Sequence, residues 1–211
     1  MPTKTEVEIA QYGILIISII LHEISHGWSA LALGDDTAKR AGRLTLNPLA
    51  HIDPFGSVLL PALLLISGTG VIFGWAKPVP VNVGRLRHPR NDAVITSLAG
   101  PAMNLVLVAI AYGVLHAVNP LFLSWPFYLL FYAGLINIWL ACFNLLPVPP
   151  LDGSAVIERM LPHKWWGPYL AIRPYTLILV FGIVIIGDRS GTFGNAFNWL
   201  ANHWQSAVGY G

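Results

Sequence analysis

Long apolar runs separated by short polar and basic segments make up most of the chain. The first run covers residues 9–33, and three more follow at residues 93–118, 126–146 and 170–187. Each approaches or exceeds the roughly 20 residues that a helix needs to cross a bilayer. The pattern therefore predicts an all-α polytopic membrane protein with about four to five transmembrane helices, folded as one domain over residues 1–211.

Residues 55–82 follow a different pattern. The apolar stretch at the start of this segment would form only about 20 Å of helix, and Gly-Thr-Gly at residues 68–70 interrupts it. The later part has strand-like residues, with Pro78 and Pro80 spaced so that only one edge could hydrogen-bond. We predict a re-entrant helix and β-hairpin segment here. Its strand-like part is either an edge that pairs with an unwound substrate or a packed loop.

The end of the chain is amphipathic. Between residues 193 and 208, aromatic and aliphatic side chains fall on one helical face, and asparagine and glutamine side chains fall on the other. This pattern predicts a C-terminal helix that lies in the membrane interface.

Basic residues cluster in two loops, one after the first apolar run and one after residues 55–75. They are Lys39, Arg40 and Arg43 in the first loop, and Lys77, Arg85, Arg87 and Arg90 in the second. The positive-inside bias places both loops on the cytoplasmic side. A full crossing by residues 55–75 would put one loop outside, so the distribution favours the re-entrant hairpin and a multi-pass protein of the cell membrane.

Composition agrees with a membrane setting. Of the 211 residues, 55% are hydrophobic and only 10% are charged. The single cysteine, Cys142, leaves no pair for a disulfide and no cysteine cluster for a metal. The net charge of +2 carries little functional weight, and we predict the lipid bilayer and a transmembrane protein as partners, with no nucleic acid.

The first apolar run contains HEISH at residues 22–26. Residues four apart share a helix face, so His22 and His26 can bind one metal ion while Glu23 lies beside it. In zinc proteases with this HExxH pattern, zinc polarises the scissile carbonyl and activates a water, and the carboxylate carries the proton. HExxH alone can be an accidental helix surface. Ionisable groups at membrane depth are costly, however, and mark functional sites, so we predict one Zn²⁺ per chain.

A catalytic zinc needs a third protein ligand on the same side of the membrane. Asp152 is the best candidate, because the hairpin topology brings the end of its span to the side where His26 lies. A purely structural role, as the aspartate of a turn or helix end ahead of Gly153, explains Asp152 equally well. Other candidates lie in loops of ordinary polarity, where solvated or capping roles are commoner: Asp53, Glu158, His51 and His163.

Four segments resemble, in order, the site-2 protease family of intramembrane zinc metalloproteases. They are HEISH at residues 22–26, FGWAKPVPVN at 73–82, AGPAMN at 99–104 and NLLPVPPLDG at 144–153. The resemblance implies zinc held by His22, His26 and Asp152, with Glu23 as the catalytic carboxylate. It also implies that Asn104 lies near the metal and binds the substrate or oxyanion, although a polar contact between helices explains Asn104 equally well.

The family resemblance implies cleavage of peptide bonds within or beside a substrate's transmembrane helix. The chain is similar to a compact prokaryotic form without a PDZ insertion. Control of substrate entry would then fall to its own membrane segments, to a second copy of the chain or to a regulatory membrane partner. Two alternatives remain. One is another membrane zinc peptidase with a glutamate as third ligand, for which Glu158 is the only glutamate beyond residue 23; the other is a catalytically silent membrane scaffold, against which the intact Glu23 argues.

Overall fold

The computed structural model describes residues 2–59, 63, 76–171, 175, 182, 186 and 190–209. Within these residues the chain forms helices and no β-strand, so the predicted all-α class is confirmed. The α-helices are α1 (Lys4–Ala32), α2 (Thr37–Arg40), α3 (Pro89–Val118), α4 (Trp125–Asn144), α5 (Ser154–Met160), α6 (His163–Leu170) and α7 (Thr192–Ala207). Short 3₁₀ turns lie at Pro48–His51 and Val83–Arg85, and a π-helical turn lies at Pro54–Leu59.

Three of the described helices, α1, α3 and α4, are long and apolar enough to cross a bilayer. They pack against one another, yet only 22 to 28% of the residues in their apolar windows are buried inside the protein. The remaining apolar surface needs lipid around it, because water would oppose its exposure. The protein is therefore a membrane protein, while the predicted count of four to five spans stays a prediction.

The helix α1 begins earlier than its apolar run. Thr3 Oγ1 accepts a hydrogen bond from the Glu6 N–H at 3.3 Å, and the Glu6 carboxylate accepts one from the Thr3 N–H at 2.7 Å. This reciprocal pair is a capping box, which satisfies N–H groups that a helix start leaves without partners. The helix therefore extends through the polar residues that precede the apolar run.

The predicted re-entrant segment is described only in part. The π-helical turn at Pro54–Leu59 lies at the start of its predicted helix. Residues 76–82 pair with no strand in the described part of the chain, so the strand prediction is wrong for these residues. The predicted break at residues 68–70 and most of the predicted span at residues 170–187 lie outside the described residues.

The two basic loops meet at one end of the helix bundle. The Arg87 N–H donates to the Leu33 carbonyl at 3.0 Å, and Arg85 forms an ion pair with Asp36 at 2.7 Å. These contacts join the end of α1 to the start of α3. The hairpin topology requires both loops on one side, and this geometry agrees with it.

Asp35 connects the same two loops. Its carboxylate is fully buried and accepts hydrogen bonds from the Asn82 N–H at 2.6 Å, from the Thr37 N–H at 3.0 Å and from the Thr37 hydroxyl. Burial alone would raise the pKa of Asp35. The hydrogen bonds from Thr37 and Asn82, together with the charge of Arg85, outweigh it and hold the pKa below its usual range.

We expect Asp35→Asn to lower the free energy of unfolding by about 1–3 kcal/mol, because an amide nitrogen would then face buried donors. A group whose folded pKa is lowered stabilises the fold above its unfolded pKa of about 3.9, and this contribution disappears as the pH falls through the folded pKa. Thermal unfolding in detergent should show the full loss at neutral pH and a shrinking one below about pH 4. Asp36→Asn, which removes only the neighbouring exposed ion pairs, is the control and should cost less. Equal stability of wild type and Asp35→Asn at neutral pH would contradict this role.

The helix α7 packs against α4 at the N-terminal half of that helix. The Trp204 indole N–H donates to the Phe131 carbonyl at 3.0 Å, and its ring lies so close to Gly134 that a Cβ there would be 2.1 Å from it. Trp204 and Val208 are buried, whereas Trp199 is exposed. The C-terminal helix therefore places part of its apolar stripe on protein, and its position in the membrane interface stays a prediction.

Candidate metal centre

His22, His26 and Asp152 meet between α1 and the turn that follows α4. His22 Nε2 is 3.1 Å from Asp152 Oδ2, His26 Nε2 is 3.4 Å from Asp152 Oδ1, and the two Nε2 atoms are 3.1 Å apart. One potential ligand atom from each residue lies within 4.8 Å of the others, so the three together could hold a metal ion. Both imidazoles are buried. The structure thus brings together the three side chains that the family resemblance implied.

A chain of buried amides sets the tautomer of His22. Asn137 Nδ2 lies 2.8 Å from the Ala133 carbonyl. A carbonyl can only accept, so this atom must be the amide nitrogen, and Asn137 Oδ1 must face Asn104. Asn104 Nδ2 donates to that oxygen at 2.7 Å, and Asn104 Oδ1 lies 2.6 Å from His22 Nδ1. His22 therefore donates from Nδ1 and keeps a lone pair on Nε2.

His26 has the same tautomer for a simpler reason. Its Nδ1 lies 2.7 Å from the Thr96 carbonyl, which can only accept, so the proton belongs on Nδ1. With both imidazoles neutral, as metal ligation requires, two Nε2 lone pairs face each other and the Asp152 carboxylate, and none of these groups can donate to another. Asp152 Oδ2 is buried and has no hydrogen-bond donor among the described residues. Such a convergence of acceptors is costly unless a cation lies among them.

The donor set and the space fit zinc. Two imidazole nitrogens and one carboxylate oxygen are ligands that catalytic zinc takes, with a fourth position left for water or substrate. Gly100 of α3 leaves the space open, because a Cβ there would lie 2.4 Å from His26 Nε2 and 2.5 Å from His22 Nε2. A side chain at position 100 would therefore occupy the place where a metal ion fits.

Asp152 reaches this position because the chain folds back after α4. The Gly153 N–H donates to the Asn144 carbonyl at 2.7 Å, and a Cβ at residue 153 would lie 2.2 Å from the Leu145 carbonyl oxygen. Only glycine permits so close a return of the backbone. The turn thus brings Asp152 under the face of α1 that carries both histidines.

Glu23 faces the same cavity as the three candidate ligands. Its Oε2 accepts a hydrogen bond from the Val79 N–H at 2.8 Å. The cavity has a volume of about 300 Å³ and is lined by His22, Glu23, His26, Pro78, Val79, Val81, Val83, Ala93, Thr96, Ser97, Asn144, Pro150 and Asp152. Sequence reasoning missed Asn144 as a candidate, although this residue opens the same segment that Asp152 closes.

Three of the other candidate ligands, Asp53, His51 and Glu158, do not belong to this cluster. Asp53 caps the turn that follows it, accepting from the N–H groups of Phe55 and Gly56, and the His51 ring bonds the Thr45 carbonyl. Glu158 belongs to α5 and does not line the cavity. The side chain of His163 lies outside the described residues. The hydrogen bonds of Asp53 and His51 therefore indicate local structural roles for these two residues.

Asn104 is fully buried, and both of its amide atoms bond to protein, one to His22 and one to Asn137. These contacts indicate a role in orienting His22. Binding of substrate or oxyanion by Asn104 stays a prediction.

We expect Asn104→Leu to weaken zinc affinity by about 10- to 100-fold, because loss of the partner that orients a ligating histidine typically has this effect. Competition with a fluorescent chelator measures the affinity in detergent. If Asn104 instead contacts the substrate alone, zinc affinity will stay unchanged and only KM will rise.

Comparison with known proteins gives the family. Residues 119–165 match the model of peptidase family M50. "Putative zinc metalloprotease YwhC" of Bacillus subtilis (strain 168) is 43% identical over 160 residues, which cover 70% of this chain and 67% of that protein. The chain belongs to peptidase family M50. The family that the sequence resemblance predicted is thereby confirmed, and with it the enzyme class, a metalloprotease whose cofactor is zinc.

Further relatives support membership of family M50. "Putative zinc metalloprotease Rip2" of Mycolicibacterium smegmatis is 34% identical over 168 residues, covering 72% of this chain and 61% of that protein. The Mycobacterium tuberculosis (H37Rv) protein of the same name is 30% identical over 190 residues, covering 88% of this chain and 70% of that protein. The chain thus spans about two thirds of the length of these M50 relatives. No solved structure matches the chain significantly.

Proposed function

We propose that this M50 member is an intramembrane protease that hydrolyses peptide bonds within or next to transmembrane segments of membrane proteins. The observation that carries the proposal is the convergence of two Nε2 atoms from the apolar helix α1 with the Asp152 carboxylate, whose Oδ2 is buried, and with Glu23 lining the same cavity. We assign His22, His26 and Asp152 as the zinc ligands and Glu23 as the catalytic carboxylate. Zinc held there would act as a Lewis acid toward a peptide carbonyl and activate water as a nucleophile.

The protein's own groups supply the proton transfer. Val79 binds Glu23 through Oε2, which leaves Oε1 to accept a proton from the attacking water and deliver it to the leaving amide nitrogen. The Nδ1 contacts with Asn104 and Thr96 hold both imidazoles in the orientation that ligation needs.

A transmembrane substrate must unwind before it can react, because its peptide carbonyls are bonded within the helix. In this proposal the unwound stretch would lie in the cavity, between the apolar side chains of Val81, Val83 and Ala93 and the polar cluster. Within residues 76–82, the Val79 N–H and the carbonyls of Lys77 and Pro78 already have protein partners. These contacts favour a packed loop over a free edge for this stretch.

The site lies near the end of the bundle that carries the basic loops. His26 is about 9 Å along the helix axis from the end of α1. We infer that this end faces the cytoplasm of a prokaryotic cell and that α1, α3 and α4 lie in the cell membrane. Substrate entry would be controlled by the membrane segments, by a second copy of the chain or by a regulatory membrane partner.

The test is cleavage of a single-span membrane protein by the purified protein in lipid nanodiscs. We expect a product whose new terminus, located by mass spectrometry, lies in or beside the apolar segment. A zinc chelator should stop the reaction, and added zinc should restore it. Cleavage confined to soluble peptides would favour another kind of membrane zinc peptidase, and zinc binding without any turnover would favour a silent scaffold.

A further inference from the structure

A short non-helical segment contacts the face of α1 that carries Glu23. We call residues 77–79 the strap. Pro78 and Pro80 have no N–H, so Val79 supplies the sole backbone donor between residues 77 and 81. That donor binds Glu23 Oε2 at 2.8 Å. The prolines on either side of Val79 therefore offer Glu23 no second backbone N–H.

Arg43 holds the opposite side of the same peptide unit. Its Nη2 donates to the Pro78 carbonyl at 3.3 Å and to the Lys77 carbonyl at 2.6 Å. The Pro78 carbonyl and the Val79 N–H belong to one rigid, planar peptide group, so fixing the oxygen also fixes the direction of the N–H. Hydrogen bonds in such a chain polarise one another, and the charge of Arg43 strengthens the donor that Glu23 uses.

Arg43 is buried, at 8% exposure. No carboxylate forms an ion pair with it among the described residues, and its charge is directed at backbone carbonyls. A buried cation without a carboxylate partner is costly, so stability alone explains it poorly. A loop that needed only to be anchored could use a neutral donor.

The surroundings hold the strap close to α1. The Lys77 N–H donates to the His51 carbonyl at 2.9 Å, and Val79 is buried. Gly27, one turn after Glu23 on the same helix face, provides the room, because a Cβ there would lie 2.9 Å from Val79 Cγ1. The strap therefore packs closely against the face of α1 that carries Glu23.

We propose that Arg43 is a positioning residue for the proteolytic reaction. Its guanidinium fixes the Pro78–Val79 peptide, whose N–H holds Glu23 Oε2 and leaves Oε1 for the proton transfer. The proposal rests on the proposed function in taking Glu23 as the group that moves the proton.

The first measurement needs neither zinc nor activity. Hydrogen–deuterium exchange of the metal-free protein, followed at residue 79, should accelerate at least tenfold in Arg43→Ala and in Glu23→Ala. Arg43→Lys keeps a cationic donor and should restore most of the protection. Arg40→Ala is the matched control, because Arg40 ends α2 just before Arg43 but is exposed and pairs with Asp36, and it should exchange as wild type does.

The second measurement is turnover with zinc content determined on the same samples. Arg43→Ala should lower kcat by about 10- to 100-fold, the usual consequence of a misplaced catalytic group, with KM and zinc content unchanged. Arg43→Lys should recover much of kcat, and Arg40→Ala should match wild type. If Arg43→Ala does not fold, an ester in place of the residue-79 amide removes the same donor with Arg43 intact and should lower kcat likewise.

Unchanged exchange at residue 79 in Arg43→Ala, unchanged kcat in Arg43→Ala or in the ester variant, or loss of zinc from Arg43→Ala would each overturn the proposal. Absence of cleavage by the wild type is a different result, since it would overturn the proposed function. The exchange experiment would then still decide whether Arg43 fixes the strap.

Discussion

Asp152→Ala should lose its zinc. The substitution removes the carboxylate that faces both Nε2 atoms, and two imidazoles alone would remain. We expect the affinity to fall by more than the roughly 100-fold that loss of an outer partner of a ligand can cause. Plasma mass spectrometry after dialysis against a weak chelator measures the zinc that each protein retains.

Glu158→Ala is the matched control for this prediction. Glu158 is an acidic residue of α5, only six positions beyond Asp152, and it does not line the cavity. The Glu158→Ala variant should keep one zinc per chain. The reverse pattern, with zinc retained by Asp152→Ala and lost from Glu158→Ala, would show that the glutamate is the third ligand.

Glu23→Gln should keep zinc and the fold but lose turnover. Glutamine has nearly the same shape and can still accept the Val79 N–H, but it cannot take up a proton. General acid–base catalysis typically contributes 10²–10⁴-fold, so we expect kcat to fall by about that factor. Cleavage of the single-span substrate, with zinc determined in the same sample, measures both properties.

Two results would contradict this role for Glu23. Undiminished cleavage by Glu23→Gln would mean that another group carries the proton. Loss of zinc from this variant, with an unchanged thermal unfolding curve, would make Glu23 a ligand.

The sequence predicted the part of the site that depends on one regular helix. His22 and His26 lie on one face because α1 is unbroken across them, and helical period alone is enough to place them together. Asp152 could not be assigned in this way. Its position depends on the return of the chain after α4, which the close contact at Gly153 permits, and residue spacing does not reveal that contact.

Contacts between helices were the harder part to predict. The resemblance placed Asn104 near the metal, but its partners follow from the packing of α1, α3 and α4, which brings Asn104 between His22 and Asn137. The roles of Asn137 and Thr96 in setting the histidine tautomers come from the same packing. Sequence patterns describe one helix at a time and cannot show which polar groups meet across an interface.

Local patterns were also misread in two places. The apolar pattern places the start of α1 too late, although Thr3 and Glu6 carry the spacing of a capping box. Residues 76–82 have strand-like composition, but their backbone N–H and carbonyl groups form hydrogen bonds with Arg43, Glu23 and the loop before them.

The central claim is that His22, His26 and Asp152 hold one zinc ion beside Glu23. Anomalous X-ray scattering at the zinc absorption edge, from crystals of the zinc-loaded protein, tests it most directly. We predict a single anomalous peak within about 2.0–2.2 Å of both Nε2 atoms and one Asp152 oxygen. A peak bound by other side chains, or a zinc-loaded crystal with no peak between these three, would contradict it.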